Sequence, residues 1–441
     1  MNNSDDDACT SACQAAVCGD NLVQAGVEAC DDGNKIDDDG CPSACRVGFR
    51  VAQGAGHTCA LLPHGEVRCW GSGTFGRLGL GNTTTLGDGP GELPTPAAIV
   101  GGAAADVAIA GSATCVALLS GAVRCVGSNS QGELGINSTI VIGDTINELP
   151  PADSAVGKPA KAIFGGSGSF CIIATDNALR CWGDNTDGQL GLGSKGVIGD
   201  QPGELPKSDV SVGAGFVPAQ VSFGNNFTCA RSAVGKVRCW GQNDVGQLGY
   251  GNTVYLGDDP GELPTADVNL GGFVTAISSG VHHTCAVLDG GAVRCWGRNN
   301  RGQLGIGNTS SIGDGGGEMP PAIVNLGGMA AQVACGNDHS CALLQGGQIR
   351  CWGENDVGQL GIGTTATIGD GPGEMPPAEV TLGGLAFAIY GDTGADSHCA
   401  LLAGEQIRCW GANSSGQLGI GSTNNIGDNE LPSSAPFVPY K

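Results

Sequence analysis

Fourteen cysteines of this 441-residue chain form seven pairs, and the two members of every pair are ten positions apart. The pairs are Cys59 with Cys69, Cys115 with Cys125, Cys171 with Cys181, Cys229 with Cys239, Cys285 with Cys295, Cys341 with Cys351, and Cys399 with Cys409. Successive pairs begin 56 or 58 residues apart within one repeated phrase, which is clearest at 341–361, CALLQGGQIRCWGENDVGQLG. A second phrase follows it, as in IGDGPGEMP at 368–376, and then an apolar run. Seven tandem copies of one unit predict a repeat fold.

The ten-residue spacing is the spacing of a cross-linked β-hairpin. Period-two alternation places Cys59 and Cys69 on the same face of two short strands joined by a three-residue turn at 63–65. Directly opposed strand residues have Cα atoms roughly 4.5–5.5 Å apart, which lies within the usual range for a disulfide. Each pair is therefore predicted to form a disulfide inside its own hairpin.

Composition favours many short strands. The chain contains 80 glycines and 21 prolines, which disfavour long helices, and its 40% hydrophobic content argues against disorder. Seven such units predict an all-β, seven-bladed β-propeller with four-stranded blades. One strand, 49–53, precedes the first pair, and the last unit ends before an equivalent strand. This N-terminal strand is therefore expected to close the last blade and remove its exposed edge.

The formal net charge is −23, from 20 basic and 43 acidic residues. The chain has no basic stripe and is therefore not expected to bind nucleic acid. Cations or basic protein surfaces are better candidates as binding partners. No stretch of 18 apolar residues is present, so membrane insertion is not expected. The first residues lack the basic and apolar parts of a signal peptide, which suggests a fragment or a mature form.

Each unit repeats an arginine and, in six units, a tryptophan around the second cysteine. The tryptophans are Trp70, Trp182, Trp240, Trp296, Trp352 and Trp410, and the arginines are Arg68, Arg124, Arg180, Arg238, Arg294, Arg350 and Arg408. We interpret both sets as contacts between blades, with a ligand cage of tryptophans as the alternative. Each arginine needs a carboxylate partner, for which the downstream loops supply pairs such as Asp370 and Glu374. The expectation is that the Asp caps a turn and the Glu pairs with the Arg, and a ring of cation sites is the alternative.

Residues 1–46 form a separate cysteine-rich module before the propeller at 47–441. The module contains Cys9, Cys13, Cys18, Cys30, Cys41 and Cys45, whose connectivity the spacing does not decide. Small, loop-rich spacings favour a disulfide scaffold over a zinc site. The loop residues Asp31, Asp32, Asn34, Asp37 and Asp39 could supply oxygen ligands to calcium, or could form a solvated turn.

The repeated phrase resembles the regulator of chromosome condensation repeat. Its Gly-Gln-Leu-Gly element recurs at 188–191, 246–249, 302–305, 358–361 and 416–419, with variants at 76–79 and 132–135. The resemblance covers about residues 47–441 and implies a seven-bladed propeller. The paired cysteines resemble those of bacterial, extracytoplasmic members, and residues 18–45 resemble the myxobacterial cysteine-rich repeat of surface proteins.

The resemblance says less about function than about fold, because one fold hosts many activities. Members of the family include a nuclear exchange factor for a small GTPase, a plant ultraviolet photoreceptor and a secreted bacterial β-lactamase inhibitor. One tryptophan per blade is unlike the clustered tryptophans of the photoreceptor. We expect a non-enzymatic, secreted or cell-surface propeller that presents its loops to a protein or glycan partner. The alternatives are a guanine-nucleotide exchange factor and a secreted enzyme inhibitor of the β-lactamase-inhibitor type.

The remaining polar residues do not form a known catalytic motif. Four histidines, at 57, 283, 339 and 398, precede first cysteines and are interpreted as hydrogen-bonding residues at the hairpin ends. Cys335 is expected to be a free, partly buried thiol. The partner is expected to contact segments that depart from the repeat: Val126, 195–198, 250–255 and 392–397.

Overall fold

A computed structural model describes residues 48–441. These residues form 21 strands in seven three-stranded antiparallel sheets, the blades of a seven-bladed propeller. The strands are, blade by blade, β1 Arg50–Gln53, β2 His57–Leu61 and β3 Val67–Gly71; β4 Ala104–Ala110, β5 Ala113–Leu118 and β6 Val123–Gly127; β7 Ala160–Gly165, β8 Ser169–Ala174 and β9 Leu179–Gly183; β10 Pro218–Phe223, β11 Phe227–Ser232 and β12 Val237–Gly241; β13 Val274–Ser279, β14 His283–Leu288 and β15 Val293–Gly297; β16 Ala330–Cys335, β17 His339–Leu344 and β18 Ile349–Gly353; β19 Ala386–Tyr390, β20 Ser397–Leu402 and β21 Gln406–Gly411. Three short 3-10 turns lie at Thr74–Gly76, Ile146–Glu148 and Pro432–Ser434.

Three strands, not the predicted four, form each sheet. In the first blade the outer position is taken by an extended segment held by isolated bridges, Gly71 to Leu86 and Arg68 to Ala97. The segment between these bridges contains three prolines, and a proline has no backbone N–H to donate to a ladder. The outer edge of the blade is therefore irregular, although it follows the course expected of a fourth strand.

The N-terminal strand does not close the last blade, and that part of the prediction is wrong. β1 pairs with β2, with Ala52 opposite Cys59, and is the inner strand of the first blade. The reason is that the strand preceding each hairpin always takes the inner position of that same blade. The outer edge of the last blade instead comes from the C-terminal segment, where the Val438 amide donates to the Ile407 carbonyl at 3.0 Å. Contacts between β1 and β19 complete the ring.

All seven predicted cysteine pairs form disulfides, each between the second and third strands of one blade. In blade order the bonds join Cys59 to Cys69, Cys115 to Cys125, Cys171 to Cys181, Cys229 to Cys239, Cys285 to Cys295, Cys341 to Cys351, and Cys399 to Cys409.

The Cα atoms of the bonded cysteines are closer together than expected. The seven separations are 4.0–4.1 Å, below the roughly 4.5–5.5 Å of directly opposed strand residues. In every hairpin the two cysteines are nevertheless direct partners in the strand register, as Cys115 and Cys125 are between β5 and β6. All fourteen are buried. The cross-links therefore lie inside the layer that packs against the neighbouring blades.

The six tryptophans join one blade to the previous one. Each is fully buried, and each indole N–H donates to the backbone carbonyl at the second position of the preceding Gly-Gln-Leu-Gly element or its variant. Across the closure of the ring, Trp70 Nε1 lies 2.9 Å from the Gln417 carbonyl oxygen. A Cβ on Gly419 would lie 2.6 Å from that nitrogen, so the indole requires a glycine there. In the second blade the smaller Val126 is buried at the tryptophan position.

The cysteine-rich module lies outside the described residues. This applies to Cys9, Cys13, Cys18, Cys30, Cys41 and Cys45, and to the calcium ligands proposed at Asp31, Asp32, Asn34, Asp37 and Asp39. From residue 48 onward, no helix has the length and hydrophobicity needed to cross a membrane.

Candidate binding surface

Several of the repeated arginines tie the segment entering a blade to the segment leaving it. Arg180 donates to the Val156 carbonyl at 2.6 Å and to the Asp209 carboxylate at 2.7 Å. Arg124 pairs with Asp153, Arg238 with Asp267 and Arg68 with Glu66. Arg350 and Arg408 donate to backbone carbonyls, of Pro377 and Pro432, and the Arg294 backbone is bridged to Ile323.

The loop glutamates do not pair with these arginines, which corrects the sequence prediction. Glu92 Oε2 accepts the backbone amides of Gly87 and Gly89 at 2.8 and 2.7 Å. The hydrogen bond from Gly89 is the main reason why the pKa of Glu92 is lowered, and burial raises the pKa of the neighbouring Asp88. The Glu therefore caps the loop, a role that the prediction gave to the Asp.

The four repeat histidines lie between blades rather than on the surface. His57 Nε2 lies 2.8 Å from the Thr114 hydroxyl, and His283 Nε2 lies 2.8 Å from the Ser340 hydroxyl of the following blade. Burial lowers the pKa of both imidazoles to about 3. The His398 ring contacts His339 edge-on at 4.8 Å, and burial lowers its pKa to about 4. All four are neutral packing residues at physiological pH.

Cys335 is a buried free thiol whose Sγ lies 3.3 Å from the Ser278 carbonyl oxygen. Burial raises its pKa to about 11, so the thiol is not poised as a nucleophile. Its sulfur lies within 4.8 Å of possible ligand atoms of His283 and Cys285, but Cys285 is held in a disulfide with Cys295. This group therefore does not offer three metal ligands.

Of the divergent segments, the one at Val126 is internal, and 250–255 is anchored at Tyr250 while Val254 is exposed. Val126 is buried, and the Tyr250 hydroxyl is bonded to the backbone of Cys239 and Ala266. Lys195 is exposed but pairs with Asp258 at 2.8 Å. The fourth segment, 392–397, lies at the centre of the ring and contributes to the closure of the channel described below.

The seven inner strands surround a central channel with a volume of about 280 Å³. Its polar lining includes Arg50, Gln53, Gln220 and Gln332. Inner strands of neighbouring blades do not pair with each other, so side chains take over part of the hydrogen bonding. The Gln220 side chain, for example, donates to the Ile277 carbonyl at 2.8 Å and accepts a hydrogen bond from the Ile277 amide at 3.1 Å.

One end of the channel is closed by an insertion in the seventh unit. The loop 391–396, between β19 and β20, replaces loops of two or three residues in the other blades. The buried Thr393 hydroxyl crosses the axis to the Ser279 carbonyl oxygen at 2.8 Å and also contacts the Phe223 carbonyl oxygen. The Ala395 carbonyl accepts the Asn337 amide at 3.1 Å. We call this loop the plug.

The other end, where the inner strands begin, is open and apolar. The residues that directly precede β10, β13, β16 and β19 are Val217, Phe273, Met329 and Leu385, and all four are exposed. Phe387, on β19, is 68% exposed, the largest value among the large apolar residues, and Phe273 follows at 65%. These five side chains come from four consecutive blades, and we call them the apolar mouth.

An exposed acidic residue lies beside the apolar mouth. Asp289, exposed in a hairpin turn, donates its backbone amide to the Phe273 carbonyl at 2.8 Å. Arg50, the basic residue lining the channel, pairs with Asp106 at 2.5 Å. This face does not stand out in the sequence because Val217, Phe273, Met329 and Leu385 share apolarity and a place before an inner strand, but not identity. Aligning the units by their first cysteines would have revealed Val217, Phe273 and Met329, whereas the longer loop of the seventh unit shifts Leu385 out of that alignment.

Comparison with known families identifies the repeat. Models described as the regulator of chromosome condensation (RCC1) repeat match residues 50–77, 160–189, 219–247, 274–303 and 330–359, and also 177–231, 235–287 and 290–343. The chain is 32% identical over 321 residues to the ultraviolet-B receptor UVR8 of Arabidopsis thaliana, covering 71% of this chain and 66% of the receptor. It is 31% identical over 300 residues to the human E3 ubiquitin-protein ligase HERC2, covering 66% of this chain but 6% of the ligase.

Solved structures show the same fold. A chain in the crystal structure of Kap60 bound to yeast RCC1 (Prp20) aligns with a TM-score of 0.63, at 18% identity, over 87% of this chain and 85% of its own length. Human WBSCR16 aligns with a TM-score of 0.62, at 20% identity, over 84% and 92%. Prp20p of Saccharomyces cerevisiae, in a structure whose description includes its binding to Gsp1p and histones, gives 0.59 at 19% identity, over 87% of both chains.

Proposed function

The chain belongs to the regulator of chromosome condensation (RCC1) repeat family, and from that premise we propose that its propeller is a non-enzymatic scaffold that binds a protein partner through the apolar mouth. The description of the Prp20p structure names protein partners for that propeller, Gsp1p and histones. The observation that supports the present proposal is the exposure of five large apolar side chains at one end of the ring. Apolar surface of this kind marks interaction sites on soluble proteins.

The chemistry of the face favours a protein over a glycan. Phe and Met are enriched at protein interfaces, and the mouth combines Phe273, Met329 and Phe387 with aliphatic neighbours. The chain has a net charge of −23, and Asp289 lies beside the mouth. The partner we propose presents apolar residues flanked by lysine or arginine, because opposite charges then meet around the apolar contact.

The disulfides support a location outside the reducing cytosol. Seven disulfides, one in each blade, are typical of secreted or cell-surface proteins. We therefore propose a secreted or surface-exposed protein. The exchange-factor and enzyme-inhibitor alternatives also require a protein bound to one face of the ring, so the same surface variants test them.

The experiment compares two double variants. Phe273→Lys with Phe387→Lys changes the apolar mouth, and Ile140→Lys with Val254→Lys changes equally exposed residues near the plug end. Each purified, oxidised protein is immobilised and exposed to the extracellular fraction of the source organism. We expect the wild type and the plug-end variant to retain the same partner and the mouth variant to lose it. Equal retention by all three proteins would contradict the proposal.

A further inference from the structure

The channel beneath the apolar mouth is a blind pocket. It is lined by residues of all seven inner strands, from Arg50, where β1 begins, to Asp392, in the plug. Thr393 and Ala395, which follow Asp392, are buried and are hydrogen-bonded to other blades. A ligand can therefore enter from the apolar mouth, and the plug forms the floor.

At the floor, the side-chain oxygen of Gln53 lacks a donor and the Asp392 carboxyl has a single one. Gln53 lines the channel at 1% exposure, its Nε2 bonds to Ser397 Oγ at 3.4 Å, and its Oε1 has no partner. The Asp392 carboxyl has one donor, the amide of the adjacent Thr393, 2.8 Å from Oδ1. Buried acceptors without donors cost free energy that a ligand with N–H groups recovers.

The charges in the channel select a cation. Arg50 is the charged group that acts on Asp392 from the surrounding strands, and it lies at the open end in an ion pair with Asp106. That pair is internally neutral, so the Asp392 carboxylate remains as uncompensated negative charge. Burial raises the pKa of Asp392 to about 7, because the carboxylate loses solvation in the channel.

We propose that this pocket binds a primary alkylammonium group, with the Asp392 carboxylate as its counter-ion and Gln53 Oε1 as a second acceptor. An ammonium group offers three donors and one positive charge, and the channel volume of about 280 Å³ accommodates a short alkylamine. The amine is either a free small molecule or a lysine side chain of the protein bound at the mouth. The lysine source rests on the proposed function, whereas binding of a free amine does not.

The test measures binding by calorimetry at pH 7.5. The free-amine probe is n-butylammonium, and the lysine probe is the blocked peptide acetyl-Leu-Lys-Leu-amide. Tetramethylammonium, which has charge but no N–H, and n-butanol, which has no charge, are the matched controls. We expect n-butylammonium to bind at least tenfold more tightly than either control, with release of a proton from Asp392.

Two variants distinguish binding in the pocket from a general attraction to surface charge. Asp392→Asn removes the counter-ion with little change in shape and should weaken n-butylammonium binding at least tenfold. Asp289→Asn removes the same charge from the exposed turn at the mouth and should leave binding unchanged. If both variants bind as the wild type does, or if n-butanol binds as tightly as n-butylammonium, the proposal is overturned.

The peptide identifies the source of the amine. Tighter binding of the peptide than of n-butylammonium, lost in the double variant of Phe273→Lys with Phe387→Lys, would support a partner lysine. Binding of n-butylammonium that the mouth variant keeps, without a gain for the peptide, would support a free amine. A failed capture experiment together with amine binding would overturn the proposed partner site and leave the ammonium pocket standing.

Discussion

The two ends of the central channel are built from the same seven strands, yet one is sealed and the other is exposed. At the plug end, the longer loop of the seventh unit brings Thr393 across the axis to Ser279 of the fifth blade. At the open end, the residue before each inner strand varies, and in four blades it is a large apolar side chain that is exposed. The repeated residues hold the blades together, and we call them the frame. The departures from the repeat distinguish the two ends of the channel.

The largest effect on stability is expected from a substitution within the frame, which both ends of the channel share. Trp352 is fully buried, and its indole donates to the Gln303 carbonyl at 2.8 Å. Trp352→Ala should lower the free energy of unfolding by about 3–5 kcal/mol, measured by denaturant titration. Val126→Ala at the equivalent position of the second blade should cost less than half as much. Equal costs would mean that the tryptophans do not hold the blades together.

A second prediction concerns the pH dependence of the frame. The buried His57 and His283 have pKa values lowered to about 3, so they take up protons on unfolding below pH 6.5. Their contribution to stability is therefore complete above pH 6.5 and is lost as the pH falls toward 3, by about 1.4 kcal/mol per pH unit for each histidine. His283→Gln should reduce this slope between pH 6 and 4 by that amount. An unchanged slope in His283→Gln would contradict this account of the buried histidines.

A third change breaks the plug end alone. Thr393→Val keeps the shape of the side chain but removes the hydroxyl that reaches Ser279 and Phe223. Loss of this buried hydrogen bond should cost about 1–3 kcal/mol. Hydrogen exchange should become faster in the plug and remain unchanged at the apolar mouth. The exposed Thr423→Val is the control, and a loss of stability equal to that of Thr393→Val would contradict the assignment of the plug.

The smallest change in stability is expected at the open end. Phe273→Lys with Phe387→Lys replaces exposed side chains and should change the free energy of unfolding by no more than about 0.5 kcal/mol per site. Denaturant titration checks this, and partner binding should be lost at the same time. A large loss of stability would show that these side chains support the fold rather than a binding face.

The sequence predicted the frame because the frame is local and repeated. The spacing of Cys59 and Cys69 identified the hairpin, and the recurrence of tryptophan beside it identified the contact between blades. The roles of the loop glutamates were harder to predict, since Glu92 could accept from its own loop as readily as from an arginine.

The plug and the apolar mouth could not be predicted in the same way. Thr393 bonds to carbonyl groups 114 and 170 positions earlier in the chain, and such contacts follow only from the closure of the ring. The position of β1 depended on the same closure, because 49–53 could pair equally well with the first or the last hairpin until the inner position of each blade was known.

The central proposal is that the propeller is a disulfide-linked binding ring that works outside the reducing cytosol. A count of free thiols tests it most directly: the protein purified from its source is denatured, alkylated without reductant and mapped by peptide mass spectrometry. Among the 15 cysteines from residue 48 onward, alkylation at Cys335 alone is predicted, with the other 14 in their seven disulfides. Alkylation of the paired cysteines, such as Cys341 and Cys351, would contradict the claim and would favour an intracellular role.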